Sequence, residues 1–197
     1  VKRLSPAEAA GLYDCHEIAS HTLTHPYMHD LTESEILRQM GEDKRALEEM
    51  FGREVEGFAV PFEFYSQQIA DCAKASGFAY ARMSECTGNY CPWQDRYYWK
   101  CGMFHLQPQL RDFVAGFLET EEELALCQIV GHSYDLDAED LWDTTEEIFR
   151  SVTGHEDIWL ATNLQLFHYL MAMSALDVAD GCAVNRSDTE LWLKVDD

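Results

Sequence analysis

Strand-like apolar runs alternate with helical patterns along most of the chain, and this alternation limits its fold more than any other feature of the 197 residues. Thr32 opens a capping box with Glu35. Ile36, Leu37, Met40, Leu47 and Met50 then recur at helical spacing until Gly52 offers a left-handed end, which predicts a helix over 33–51. The run 55–60, stopped by Pro61, reads as a strand, 66–75 as a helix and 78–83 as a second strand. The pattern continues as helix near 109–118, strand near 124–131, helix near 138–152, strand near 158–161 and helix near 164–176. Such a series implies α/β architecture with parallel strands wrapped by helices. In the tail, 182–184 and 191–195 around Asn185-Arg186-Ser187-Asp188 read as a short hairpin, and 88–99 as a long loop at the rim of a site.

The length suits one domain spanning 1–197. With 36 acidic against 14 basic residues and a formal charge of −22, the mean field repels phosphate backbones and anionic lipid, so neither nucleic acid nor a membrane is expected as a partner. No apolar run reaches the roughly 18 residues a membrane-spanning helix needs, and residues 1–30 lack the order of a secretory signal. The seven cysteines form no CxxC pair, which argues against a zinc knuckle. Cys72 and Cys127 lie inside apolar patterns, as reduced cysteines do, so a reducing, cytoplasmic setting is expected. The crowding of Cys86, Cys91 and Cys101 leaves room for one loop disulfide.

The richest segment runs from His16 to Pro26, HEIASHTLTHP. On a helical turn, residues four apart share a face, so His21 and His25 could offer two imidazoles to one ion. A bare pair at this spacing is weak evidence in a chain with eight histidines.

The context adds to it. The run resembles the histidine motif of the polysaccharide deacetylase family, in which a His-Glu strand leads into His-Ser/Thr-x-x-His. Further segments resemble the family's later motifs in order: Phe58-Ala59-Val60-Pro61-Phe62 its groove strand, Tyr80-Ala81-Arg82 the next strand, and Gly131-His132-Ser133-Tyr134-Asp135 its late histidine motif. Residues 158–163 and 185–187 resemble its last strand and closing hairpin.

The resemblance implies an irregular barrel of parallel strands with outer helices and a short C-terminal hairpin. It implies a hydrolase that removes acetyl groups from a sugar polymer or amino sugar with a divalent metal, zinc by ligand type, bound by His21 and His25. By the same resemblance, His132 is the catalytic acid, the Phe62 N–H an oxyanion donor and Arg82 a group that orients a carboxylate, while Pro61 and Tyr134 touch the acetylated carbohydrate. Trp93, Tyr97, Tyr98 and Trp99 either stack on sugar rings or pack their own loop.

The sequence departs from the family in two places. The early Asp-Asp-Gly-type motif, which supplies the third metal ligand and the base, has no counterpart before His21, where Asp14 reads as part of a turn. The barrel therefore reads as incomplete at its N-terminus, with an uncovered sheet edge through which chains could pair. Val60-Pro61-Phe62-Glu63-Phe64 also replaces the usual arginine or Tyr-Pro-x-Gly form of the groove segment. These departures open an alternative to the enzyme reading, a catalytically impaired or non-catalytic relative that keeps the fold and a partial metal site.

Overall fold

A computed structural model describes residues 4–62, 64–93 and 95–194. The first helix, α1 (Pro6–Leu12), starts where Ser5 accepts the Glu8 N–H, the Glu8 carboxylate accepts the Ser5 N–H, and Pro6 fills the first turn. This S-P-A-E start signal was legible, although no helix was expected there. Next come β1 (Ala19–Ser20), α2 (Glu33–Phe51), β2 (Gly57–Ala59), α3 (Gln67–Ala75) and β3 (Tyr80–Cys86). Glu35 accepts the Thr32 N–H at 2.8 Å, and Gly52 closes α2 at φ 66°. Both ends of the predicted helix therefore stand.

Strand β4 (Trp99–Cys101) follows, then β5 (Met103–Phe104), α4 (Leu110–Glu119), β6 (Ile129–Val130), α5 (Ser133–Ala138), α6 (Trp142–Val152), α7 (Asn163–Ser174), β7 (Asp177–Ala179) and β8 (Cys182–Val184). One sheet has the order β1-β2-β3-β4, all parallel, and β5 pairs with β6, also parallel. Gly102 joins the two pieces, because its N–H and that of Met103 both donate to the Gln128 carbonyl. A Cβ at this position would lie 2.8 Å from that oxygen and 2.7 Å from the Phe113 ring, so only glycine lets the chain pass from β4 to β5 here.

Strand β3 shows how the layers form. Ala81 and Met83 face a core with Ile36, Met40, Ile69 and Ala73 of α2 and α3, while Tyr80 packs on the other face with Trp99, Leu166 and Phe167. A third cluster seats Phe113, Val114 and Ile148 of α4 and α6 on Met103. Burying each large apolar side chain contributes about 1.5–3 kcal/mol, which offsets the ordering of short strands. This is the expected α/β class of parallel strands with outer helices.

Several sequence expectations need correction. Only Ile129–Val130 of the predicted strand 124–131 is paired, and the predicted helix 138–152 starts only at Trp142, after a break near Asp140, which sits at φ 52°. Residues 158–161 form no strand: Trp159 and Leu160 are 43% and 64% exposed, where an apolar run had predicted core. The hairpin forms one strand earlier than expected. Asp180 and Gly181, both at positive φ, make the tight turn between β7 and β8, a stronger hairpin signal than 185–188. Val195, the end of the hairpin as read, lies outside the described residues.

The aromatic loop also differs. Trp99 begins β4 and is fully buried, Trp93 packs on it, and the Tyr97 hydroxyl donates to the Phe78 carbonyl, so these rings are structural. Cys91 and Cys101 carry free thiols, so neither joins a loop disulfide. Among the described residues, no helix is long and apolar enough to cross a membrane.

Candidate metal and catalytic site

Because every strand pairing across these two sheets is parallel, the strand exits share one rim. His21 follows β1, Pro61 and Phe62 follow β2, His105 follows β5, and Gly131 and His132 follow β6. Ligand chemistry in parallel α/β folds gathers at this end.

His21 and His25 do come together, but not on a helical turn. Thr22 and His25 lie at φ 69° and 54°, in the left-handed region that a β-branched residue such as threonine strongly disfavours. These two reversals fold the loop so that the imidazole centroids stand 4.7 Å apart, edge to face. Helix α2 holds the loop from below: Asp43 accepts the Ser20 hydroxyl at 2.6 Å and the His21 N–H at 2.9 Å. The Gln39 side chain exchanges hydrogen bonds with the Thr24 N–H and hydroxyl at 3.0 and 2.8 Å. Gln39 and Asp43 are four apart on the inner face of α2, a polar pair in an otherwise apolar stripe that sequence reading passed over.

The His21 Nδ1 lies 2.8 Å from the Ala59 carbonyl, which can only accept, so Nδ1 carries the proton and Nε2 keeps its lone pair. Burial, aided by the charges of His25 and Arg82, holds His21 below the usual imidazole range, which favours the neutral, metal-ligating form.

Phe62 lies at φ 59°, a third left-handed position on the rim. Its ring meets His25 edge-on at 4.5 Å and stacks on Tyr27 at 4.0 Å, and Phe64 packs on His29. Tyr27 and Phe64 are 51% and 48% exposed, so an open aromatic wall adjoins the histidine pair. The Pro61 side chain is fully buried and offers substrate no surface, in contrast to the contact expected of it. Arg82 lies within the strands, where its Nη1 donates to the Met83 carbonyl at 3.3 Å and to Cys101 Sγ at 3.7 Å. It also lines a cavity of about 350 Å³ with Glu17, Ala59, Tyr80 and Asn163, and none of the rim histidines enters that wall.

Across the rim, His132 Nδ1 is 3.1 Å and His105 Nε2 2.9 Å from the same oxygen, Oδ2 of Asp135. Hydrogen bonding from His105, then from His132, keeps the Asp135 carboxyl below its ordinary range. Gly131 makes room, since a Cβ there would sit 2.3 Å from the His105 ring. Tyr134 stacks on His132 at 4.8 Å and is 57% exposed. His105 follows directly after β5, a two-residue strand that the sequence did not predict.

Similarity to known proteins follows this geometry. Residues 6–81, which hold the histidine pair, match the family model described as polysaccharide deacetylase. The match falls on the part of the chain that carries the histidine motif and does not extend to the remainder. The structure resembles a putative polysaccharide deacetylase from Mycobacterium smegmatis at TM-score 0.65 and 15% identity, over 95% of this chain and 72% of that one. It resembles the deacetylase PplD of Streptococcus pyogenes, solved with acetate, at TM-score 0.52 and 14% identity, over 62% of this chain and 53% of that one. A 4-alpha-glucanotransferase from Thermococcus litoralis aligns at TM-score 0.63 and 12% identity, over 83% of this chain but 30% of its own. At these identities the likenesses show the fold, and the chain spans about half the length of the streptococcal deacetylase. No curated protein matches the chain.

Proposed function

We propose that this rim belongs to a metal-dependent hydrolase that releases acetate from an acetylated sugar polymer or amino sugar. The observation that carries the reading is the His21–His25 pair, with Nε2 of His21 left as a free lone pair by the Ala59 carbonyl. Two neutral imidazoles suit a divalent ion, zinc among others. When bound, such an ion polarises the acetyl carbonyl and activates water.

The chain's own residues would supply the other contacts, and the proton of the attacking water would pass to solvent, since no carboxylate base is assigned here. The Phe62 N–H donates to the oxyanion, and Tyr27 and Phe64 offer faces to a pyranose ring. His132, oriented by Asp135, protonates the leaving amine or alcohol as the tetrahedral adduct collapses to acetate. Arg82, whose charge acts on His21, orients a carboxylate, and Tyr134 borders the substrate beside His132. The open side of β1, which pairs only with β2 among the described residues, could take a strand from another chain.

The test is acetate release from an acetylated chito-oligosaccharide with added zinc or cobalt. His132→Ala should lower turnover by about 10²-fold or more while metal content holds, because an acid acts in the transition state. Loss of metal with His132 would instead make it a ligand. A specific observation also favours a second reading, a non-catalytic relative. The only group of three or more metal-ligating side chains found among the described residues is on the other side of the rim, and it does not include His21 or His25. No acetate release alongside bound metal would support that alternative.

A further inference from the structure

We propose that His105, His132 and Asp135 form a second divalent-cation site, distinct from the His21–His25 pair. Three donor atoms, one from each residue, lie within 4.8 Å of one another. Two of the separations are 2.9 and 3.1 Å, both to Oδ2 of Asp135. Ligand atoms about 2.0–2.1 Å from a tetrahedral ion stand roughly 3.3 Å apart, so both carboxylate–imidazole separations are close to what an ion needs.

The cluster is built rather than casual. The His105 N–H donates to the Val130 carbonyl at 2.9 Å, tying the β5 exit to the β6 exit, and Gly131 provides the space the His105 ring occupies. Asp135 sits in the first turn of α5, its N–H bonded to the His132 carbonyl at 3.1 Å. The His105 and Asp135 side chains are 11% and 15% exposed and His132 49%, so an ion would enter past His132. Without an ion, His105 Nε2 and His132 Nδ1 can each donate an N–H to Oδ2. To bind one, each moves its proton to its other ring nitrogen, with no change in proton count, and turns a lone pair inward. The resulting set of two nitrogens and a carboxylate oxygen suits zinc, cobalt, nickel or ferrous iron.

An ion here would occupy Nδ1 of His132 and end its orientation by Asp135. That consequence rests on the acid role proposed above, whereas binding itself does not. The test is therefore cobalt(II) titration, by calorimetry and visible absorption, of the His21→Ala/His25→Ala variant. It should bind one equivalent with the spectrum of a nitrogen- and oxygen-ligated ion. Adding His105→Ala or the near-isosteric Asp135→Asn should cut that affinity by more than the about 10- to 100-fold that losing an outer-shell partner costs. Circular dichroism identifies any variant that fails to fold, and Asp135→Asn serves if His105→Ala does. No cobalt bound by the double variant, or affinity unchanged by both further substitutions, would overturn the proposal. Neither result depends on acetate release, so failure of the deacetylase reading is read separately.

Discussion

The Nδ1–H of His21 donates to the carbonyl oxygen of Ala59 over 2.8 Å, so the end of β2 decides which nitrogen of the β1 histidine is offered to the rim. The contact crosses two neighbouring strands in fixed register, Ala19 opposite Gly57 and Ser20 opposite Phe58. Strand pairing thus becomes ligand chemistry.

The same burial gives stability a pH dependence. His21 is held below the ordinary imidazole value, mainly by burial, whereas in the unfolded chain it titrates near about 6.5. Below that pH the unfolded chain binds more protons, so the metal-free protein should lose stability as pH falls from about 6.5 towards the folded value, and gain nothing further above it. Thermal melts from about pH 7.5 to 5 should show a smaller loss in His21→Gln than in the parent. Equal slopes would contradict the assignment.

Asp43 should matter to the ion without touching it. Its carboxylate holds both the buried Ser20 hydroxyl and the His21 N–H. Asp43→Ala should cost about 1–3 kcal/mol through the unpaired hydroxyl, and weaken zinc binding at His21 by about 10- to 100-fold. Denaturant melts and zinc titration measure the two effects. Stability lost with zinc affinity intact would make Asp43 purely structural.

Two glycine substitutions should act in opposite directions. Gly131→Ala drives a Cβ into the His105 ring and should destabilise by about 1–3 kcal/mol while separating His105 from Asp135. Gly41 lies within α2 with nothing near its missing Cβ, so Gly41→Ala should stabilise by about 0.5–1 kcal/mol. Denaturant unfolding of both reports the signs.

The aromatic wall gives a substrate prediction. Tyr27→Ala and Phe64→Ala should each raise KM for an acetylated oligosaccharide by about 3- to 10-fold with little change in kcat, in line with the roughly 0.5–1.5 kcal/mol of an aromatic contact. A fall in kcat alone would place these rings outside substrate binding.

Much of this molecule was legible in the sequence where local signals agreed. The Thr32–Glu35 box and Gly52 bound α2, and the apolar runs before Pro61 and after Gly77 became adjacent parallel strands. What escaped depends on contacts distant in sequence. Trp99 reads as a loop aromatic until β3 lies beside it, and the pairing of Met103 with Ile129 depends on Gly102 carrying the chain from β4 to β5, which no periodicity signals. The His21–His25 pair was found through its motif, but its cause was misread, since two left-handed residues bring the rings together where a helical turn was expected. His105 and Asp43 act only through neighbours some thirty and twenty residues away in sequence, His105 with Asp135 and Asp43 with Ser20 and His21, so nothing nearby marks them. Trp159 and Leu160 have strand composition yet remain exposed, and Trp159 meets the rings of Tyr169 and Trp192 instead of a strand partner.

Anomalous X-ray diffraction at the zinc edge, on crystals of this chain equilibrated with zinc, tests the central claim most directly. The account predicts a peak about 2.0–2.1 Å from Nε2 of His21 and from one ring nitrogen of His25, the usual zinc–imidazole distance. A zinc-saturated crystal with no density between these two rings would contradict it.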